Sequence, residues 1–148
     1  GVLFLGFSRA ILVIMEDAAI MDTIVYALSV PLSHLHNVFA AWGIYISQGI
    51  INIFIPSSSG QAAAVMPILT PLSDLIGVSR QTCVLAYQMG DGFWNMITPT
   101  HSVTLAACGI AGVAYTDWLK FAWKLVLKWS VWAIIILTIA VFTGYGPF

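Results

Sequence analysis

Charged side chains make up only 7% of this 148-residue chain, against 60% hydrophobic residues. An average soluble domain is about 25% charged. A chain so poor in charge, with a mean hydropathy of +0.97, cannot cover a water-facing surface, and the lipid bilayer is the solvent it suits. No charge falls between Asp22 and Asp74, between Asp91 and Asp117, or after Lys128. Charge-free apolar runs of about 18 residues or more are transmembrane candidates. Five Lys and Arg against six Asp and Glu give a net charge of −1, which excludes the basic footprint of a nucleic-acid binder. The two cysteines, Cys83 and Cys108, would lie about 37 Å apart on a helical segment, beyond disulfide reach. They read as small buried hydrophobes. His34 and His36 have an i, i+2 spacing that shares no helical face and no carboxylate or Cys nearby, so no metal site is expected. The chain opens on Gly1 inside an apolar run, without a starting Met or a signal-peptide pattern. A piece of a longer protein is therefore expected.

What is present divides the chain into an all-α, polytopic membrane protein. Residues 1–17 read as the end of a transmembrane helix, interrupted by Gly6 and Arg9. Residues 18–30 read as an interfacial helix, 38–76 as a re-entrant hairpin, 81–113 as a broken transmembrane helix and 118–143 as the last one. The run 81–113 would be about 50 Å long as one straight helix, against a hydrocarbon core of about 30 Å, so it must be interrupted. Lys120, Lys124 and Lys128, with Trp118, Trp123, Trp129 and Trp132, mark the start of the last helix as a cytoplasmic interface. Counting back from it, the pair 38–55 and 61–76 both begins and finishes outside.

The stretch "FIPSSSGQAAAVMPILTP", Phe54–Pro71, interrupts that pair with a polar knot that holds no charge. A cytoplasmic loop would ordinarily carry Lys or Arg. Irregular backbone at membrane depth is tolerated only where protein or a polar cavity covers it, so the knot is placed inside, facing a cavity. Ser58 to Gln61 fits an S-x-x-Q capping box, which would aim helix N–H groups at that cavity, a setting suited to a carboxylate. The second interruption, "GDGFWNMITPTHS", repeats the logic. One half-helix ends near Gly90–Asp91–Gly92, exposing carbonyls and a carboxylate suited to a cation. The next begins at Pro99 with Thr98 as its cap, flanked by Asn95, Thr100 and His101. Two such interruptions meeting in the membrane are the arrangement of secondary transporters built on discontinuous helices.

The segments "IPSSSGQAAAVMPILTPLSDLIGVSRQ" and "AYQMGDGFWNMITPT", with "GFSRAILVIMEDAAIMDTIV" near the start, resemble the anaerobic C4-dicarboxylate carrier family, especially its YfcC-like branch of basic amino acid antiporters in the ion transporter superfamily. The resemblance implies the C-terminal half of a bacterial inner-membrane transporter, with a missing N-terminal half that supplies an inverted repeat. It implies that Ser57, Ser58, Ser59 and Gly60 form a hairpin tip, and that Asn95, Thr98, Pro99 and Thr100 fall in the facing break. In related superfamily members these two elements share the substrate and coupling-ion sites. Distant members carry Ser-Asn-Thr at such tips. Ser-Ser-Ser-Gly here leaves open sodium or protons as the driving ion.

The expected substrate is a small carboxylate-bearing metabolite, a dicarboxylate or an amino acid. Ser57, Ser58, Ser59, Gly60, Gln61, Asn95, Thr98, Pro99 and Thr100 are its candidate ligands. Ser57, Gly90, Asp91, Gly92 and Asn95 are the candidates for the coupling ion. No cofactor is expected beyond that ion, and the partners expected are the substrate, the bilayer, the missing half and a possible second copy. Two other classes compete. An intramembrane serine protease would need Ser59 and His101 within hydrogen-bond reach. A passive channel would need a repeated ring of groups, which one asymmetric pair of breaks does not supply.

Overall fold

The computed structural model describes residues 30–146, together with Thr23 and Ala27. The expected helix end at 1–17, with Arg9, lies outside the described residues. Of the expected interfacial helix at 18–30, Thr23 and Ala27 are helical and exposed. A short 3-10 turn, Pro31–His34, leads into five α-helices: α1 Asn37–Phe54, α2 Ser58–Leu75, α3 Arg80–Trp94, α4 Ser102–Ala111 and α5 Tyr115–Thr143. Among the described residues there is no strand.

α1 and α2 form a helical hairpin. Ile55, Pro56 and Ser57 make its tip, where Pro56 has no N–H with which to continue a helix. At its base, Asn37 Nδ2 donates to the Gly77 carbonyl at 3.2 Å, so the start of α1 and the end of α2 lie side by side. Gly77 terminates α2 in the left-handed region, φ +68°, a conformation glycine adopts without steric penalty. Two prolines, Pro67 and Pro71, lie within α2 and remove two of its backbone bonds. The turn to α3 is clamped at the surface by a two-pronged bond from Arg80 to Asp74, at 2.7 and 2.9 Å. That hydrogen bond holds the Asp74 carboxyl below the usual carboxylate range. Both side chains are half exposed, so the pair adds little stability.

α3 is the element the others share, packing on α1, α2 and α5. The core is apolar where these meet, with Ile44, Ile51, Val65, Leu69, Ala86 and Leu137 all buried. α1 and α3 approach closely because glycines sit at the crossing. A Cβ on Gly90 would stand 2.6 Å from the Tyr45 carbonyl and 2.7 Å from Gln48 Cβ, and one on Gly49 would collide with the Trp94 ring. Small residues at such crossings are how helices pack in lipid, where apolar surface alone gives no preference for protein over tails. α5 runs antiparallel to α3. Ser79 Oγ donates to the Tyr145 carbonyl near one end, and Phe93 packs on Trp129 with ring centroids 5.3 Å apart further along. Trp42 Nε1 to Thr138 Oγ1 at 3.0 Å, and Tyr45 with Ser130 at 2.6 Å, tie α5 to α1.

Among the described residues two helices, α1 and α5, are long and apolar enough to cross a membrane. Their 18 and 29 residues make rods of about 27 and 43 Å. Beyond Lys128 the outer face of α5 leaves Val131, Trp132, Ile135, Ile139 and Phe142 exposed, an apolar surface that suits acyl chains better than water. Both cysteines are free and buried, as expected from their spacing.

The close crossing yields a paired test. Gly90→Ala should lower the thermal midpoint of the detergent-purified protein, at a cost of about 1–3 kcal/mol for an overpacked contact. Gly92→Ala, where a Cβ meets nothing within 4 Å, should raise the midpoint slightly, since alanine is favoured over glycine within a helix by about 0.5–1 kcal/mol. Equal melting of the two variants would remove Gly90 from the helix crossing.

Candidate functional site

In an apolar core a polar side chain needs partners, because a buried donor or acceptor left unmatched costs about 1–3 kcal/mol. Five of the buried polar side chains collect at one place, where the hairpin meets α3. Gln48 and Asn52 lie one helical turn apart on α1. Asp91 in the last turn of α3 and Asn95 at its C-cap lie one turn apart, and Gln61 enters from the first turn of α2. All five are buried, with Asn52 and Gln61 at 0% exposure, Asp91 at 2% and Asn95 at 9%.

Asn52 is the hub. Its Nδ2 lies 2.8 Å from Asp91 Oδ1, 3.1 Å from Asn95 Oδ1, 3.3 Å from the Asp91 carbonyl and 3.4 Å from Gln61 Oε1. Asn95 Nδ2 donates to Asp91 Oδ1 at 3.1 Å and reaches Ser58 Oγ at 3.5 Å. Gln61 Nε2 donates to the Gln48 carbonyl and to Gln48 Oε1, both at 3.0 Å. Asp91 is thus ringed by neutral amides. Among the described residues the ion pairs are Arg80 with Asp74 and Lys120 with Asp117, both at the surface. One buried acceptor among the described residues, Asn52 Oδ1, has no partner.

The hairpin tip borders this cluster. Ser57 caps α2, its Oγ accepting from Gly60 N at 3.4 Å. The expected capping box is therefore displaced. α2 already begins at Ser58, and Gln61 turns inward to Gln48 instead of reaching back to the tip. Burial of its amide among Gln48 and Asn52 satisfies more of its hydrogen-bonding capacity than a solvent-facing box would. Ser58 and Ser59 are exposed and lie in the first turn of α2, where N–H groups have no intrahelical partner. Tyr87 Oη holds the tip down by donating to the Ser58 carbonyl at 2.6 Å.

The break between α3 and α4 falls later than the sequence suggested. α3 continues through Gly90, Asp91 and Gly92 to Trp94, since Asp91 and Asn95 are held on one face by their bonds to Asn52 and to each other. Gly90 serves the helix crossing and Gly92 is exposed. α4 starts at Ser102, with His101 at its cap position making no side-chain cap bond, and not at Pro99. Thr98 is buried and donates back to the Trp94 carbonyl at 2.8 Å, closing α3 instead of opening α4. Thr100 Oγ1 donates to the Ile53 carbonyl near the end of α1, and Pro99 is exposed.

Three successive carbonyls freed by the break are taken by side chains. Thr104 donates to Asn95 O at 3.1 Å, Trp118 Nε1 to Met96 O at 2.8 Å and Tyr115 Oη to Ile97 O at 2.6 Å. This is the accounting an interrupted helix needs where water is scarce. It leaves the side-chain oxygens around Asn52, and not these carbonyls, as the group rich in acceptors. Since Thr104 gives its proton to Asn95 O, His101 Nδ1, at 2.8 Å from Thr104 Oγ1, serves as a donor to it. Ser59 Oγ lies 3.5 Å from Ser57 Oγ, and no nucleophile–base pair joins Ser59 to His101. No group of three His, Cys, Asp or Glu side chains able to hold a metal occurs among the described residues.

The structure thus gathers Ser58, Gln61, Asp91 and Asn95 from the sequence-based candidates, with Ser57 and Gly60 at the cap beside them. It adds Gln48 and Asn52, which the sequence reading passed over inside an apolar run. Their signal was present: two carboxamides spaced i, i+4 on a helix that, after Asn37 at its start, is otherwise built of apolar and small residues.

The model of the family described as DcuC, C4-dicarboxylate anaerobic carrier, matches residues 2–142. The chain belongs to this family. A protein of Escherichia coli strain K12 named "Putative basic amino acid antiporter YfcC" is 42% identical over 123 residues, covering 80% of this chain and 24% of that protein. An uncharacterised protein of Haemophilus influenzae is 28% identical over 124 residues, covering 84% of this chain and 24% of that protein. The chain spans about a quarter of the length of the curated relatives it matches. No solved structure matches it. The family and the Escherichia coli relative are named as a carrier and an antiporter, not as enzymes, which counts against the protease alternative.

If the break is held by the hydroxyl and indole donors named above, removing one should cost about 1–3 kcal/mol, the penalty for a buried carbonyl left without its donor. Tyr115→Phe and Thr104→Val should each lower the thermal midpoint in detergent. Thr143→Val, which touches only its own helix, should not. Unchanged melting of Tyr115→Phe would show that water reaches Ile97 O.

Proposed function

We propose that this chain is a binding segment within the C-terminal half of a secondary active transporter of the bacterial inner membrane, carrying a small carboxylate-bearing metabolite, a C4-dicarboxylate or an amino acid, by symport or exchange. The observation that carries the reading is the position of Asn95. Its amide bonds Asp91 on its own helix and reaches Ser58 on the hairpin tip, so one residue spans both interruptions. A carboxylate docked on the first turn of α2, against the Ser58 and Ser59 N–H and hydroxyl groups, would be within one residue of the buried carboxylate that answers a cation. Family and relative are named for dicarboxylates and for basic amino acids, and the group these solutes share is a carboxylate. A helix N-terminus is a physical match for it.

The hairpin is the re-entrant element of this reading. Its base is closed by the Asn37–Gly77 bond, so both arms open on one side. The second arm, with its two internal prolines, is not among the helices apolar and long enough to span. The tip would face the N-terminal half of the full-length protein, with its inverted repeat. Transport would move the α1–α2–α3 unit as a body.

Uptake by the full-length protein in proteoliposomes, with a panel of dicarboxylates and amino acids and with imposed sodium, proton or counter-substrate gradients, tests the reading. Accumulation that collapses with the gradient is the expected outcome. Asn95→Ala should abolish it while membrane insertion persists, and normal uptake by that variant would remove Asn95 from the site. A cysteine at Ser59 should react with aqueous thiol reagents more slowly than one at Gly144. Equal rates would place the tip in open water and end the re-entrant reading.

A further inference from the structure

The first half of α5 carries its cations on one line. Lys120, Lys124 and Lys128 follow one another at four-residue steps, so they share a face of the helix. All three are exposed. Lys120 is answered by Asp117 at 2.8 Å. Lys124 and Lys128 have no carboxylate partner among the described residues, where Asp74 is taken by Arg80 and Asp91 is buried beside the hairpin. The same line runs on through Trp132, Ile135, Ile139 and Phe142, all exposed and apolar. Ala122, Val126, Ala133 and Leu137, on the other side of α5, are buried. The lysines therefore continue the surface that suits acyl chains.

Their depth can be counted from the far end of the helix. There Ser79, next to the Arg80–Asp74 clamp, donates to the Tyr145 carbonyl, so the end of α5 is level with a charged surface. From Thr143 back to Lys128, Lys124 and Lys120 the helix rises about 23, 29 and 35 Å. A hydrocarbon core of about 30 Å thus ends near Lys124, with Lys128 one turn inside and Lys120 one turn outside. Helical side chains lean toward the N-terminus, which here is the direction of the headgroups. Lys128 extends along its own face toward the level of Lys124, with its stem among acyl chains and its ammonium at the interface. Two ammonium groups without a carboxylate meet at phosphate depth on a lipid-facing surface.

We propose that Lys124 and Lys128 seat the headgroup of an anionic phospholipid, one phosphodiester bridging the two ammonium groups while the acyl chains lie along Val131, Trp132 and Ile135. A protein partner would have to bring carboxylates against a face that is otherwise apolar. The leaflet supplies negative charge at that depth already. A zwitterionic headgroup fits less well, because it carries its own cation beside the phosphate. The other side of the same turns holds the break, through Trp118 Nε1 to Met96 O and Tyr115 Oη to Ile97 O. A lipid that fixes the depth of α5 fixes the depth of those carbonyls with it. The inference holds whichever solute is carried.

The test uses the full-length protein in an uncharged detergent, titrated with phosphatidylglycerol or with phosphatidylcholine of the same acyl chains, and read by native mass spectrometry and thermal midpoint. Phosphatidylglycerol should bind saturably and raise the midpoint, and phosphatidylcholine should bind more weakly. Lys124→Gln combined with Lys128→Gln should weaken phosphatidylglycerol binding by about tenfold or more. Lys124→Arg combined with Lys128→Arg should keep it. Lys120→Gln, whose ammonium Asp117 already holds, should change it far less. Where the glutamine pair fails to elute as a single folded species, Lys124→Gln alone carries the comparison, with a smaller loss expected. Wild-type affinity in the folded glutamine variants overturns the inference, as does equal binding of the two lipids. A glutamine pair that melts below wild type in lipid-free detergent, with neither protein responding to phosphatidylglycerol, assigns the lysines to carboxylates elsewhere in the protein and overturns it as well.

Discussion

A carboxylate enclosed by packed helices, with no cationic side chain bonded to it among the described residues, must be held by amide N–H groups or by an ion, and Asp91 sets that condition for the whole fold. Its two amide donors come from Asn52 and Asn95, so α1 and α3 have to cross within a few ångströms of it. Gly90, immediately before it, supplies the room by lacking a Cβ against the Tyr45 carbonyl. The polar cluster and the glycine crossing are therefore one constraint. The amides hold the carboxylate only if the backbones touch, and the backbones touch only where side chains are absent. Insertion scales put an aspartate at the centre of a membrane helix at about 2.5–3.5 kcal/mol unfavourable, a cost that selects for keeping such a residue where it performs work.

The same constraint explains the hairpin. Gln61 is in the first turn of α2, yet its side chain is turned into the core, bridging Gln48 and Asn52. The tip is pinned from the other side by Tyr87. The first turn of α2 thus has one polar residue committed to the interior, while its serines remain open to a solute. Structure and access are divided between neighbouring residues of a single turn.

Much of this was legible in the sequence because apolar length and the distribution of charge report directly on membrane helices. The starts and ends of the hairpin arms fall within a few residues of the expected 38–55 and 61–76, and the interruption of 81–113 is where "GDGFWNMITPTHS" is written. The misplacements share a cause. Thr98 and Pro99 look like the opening of a helix by local preference, but Thr98 closes α3 because Asn95, one turn earlier, is already fixed by Asn52 across the interface. Ser58 and Gln61 satisfy the local pattern of a capping box, but Gln61 finds buried carboxamide partners from α1. In each case a bond between residues far apart in sequence outweighs a preference worth about 1 kcal/mol. Gln48 and Asn52 were passed over because an 18-residue apolar helix tolerates two carboxamides without losing its hydropathic signature. Their meaning lies in the facing stripe of Asp91 and Asn95, spaced by the same four residues.

Those two stripes also argue for what a moving binding unit must do. Four carboxamides and one carboxylate can exchange hydrogen bonds among themselves with little change in backbone, since each amide has a donor end and an acceptor end. A salt bridge in the same place would be bound to a single geometry, and breaking it would leave a buried charge costing several kcal/mol. An amide cluster carries no such penalty, so its members can re-pair among themselves while the apolar packing of Ile44, Ile51 and Leu137 around them stays intact.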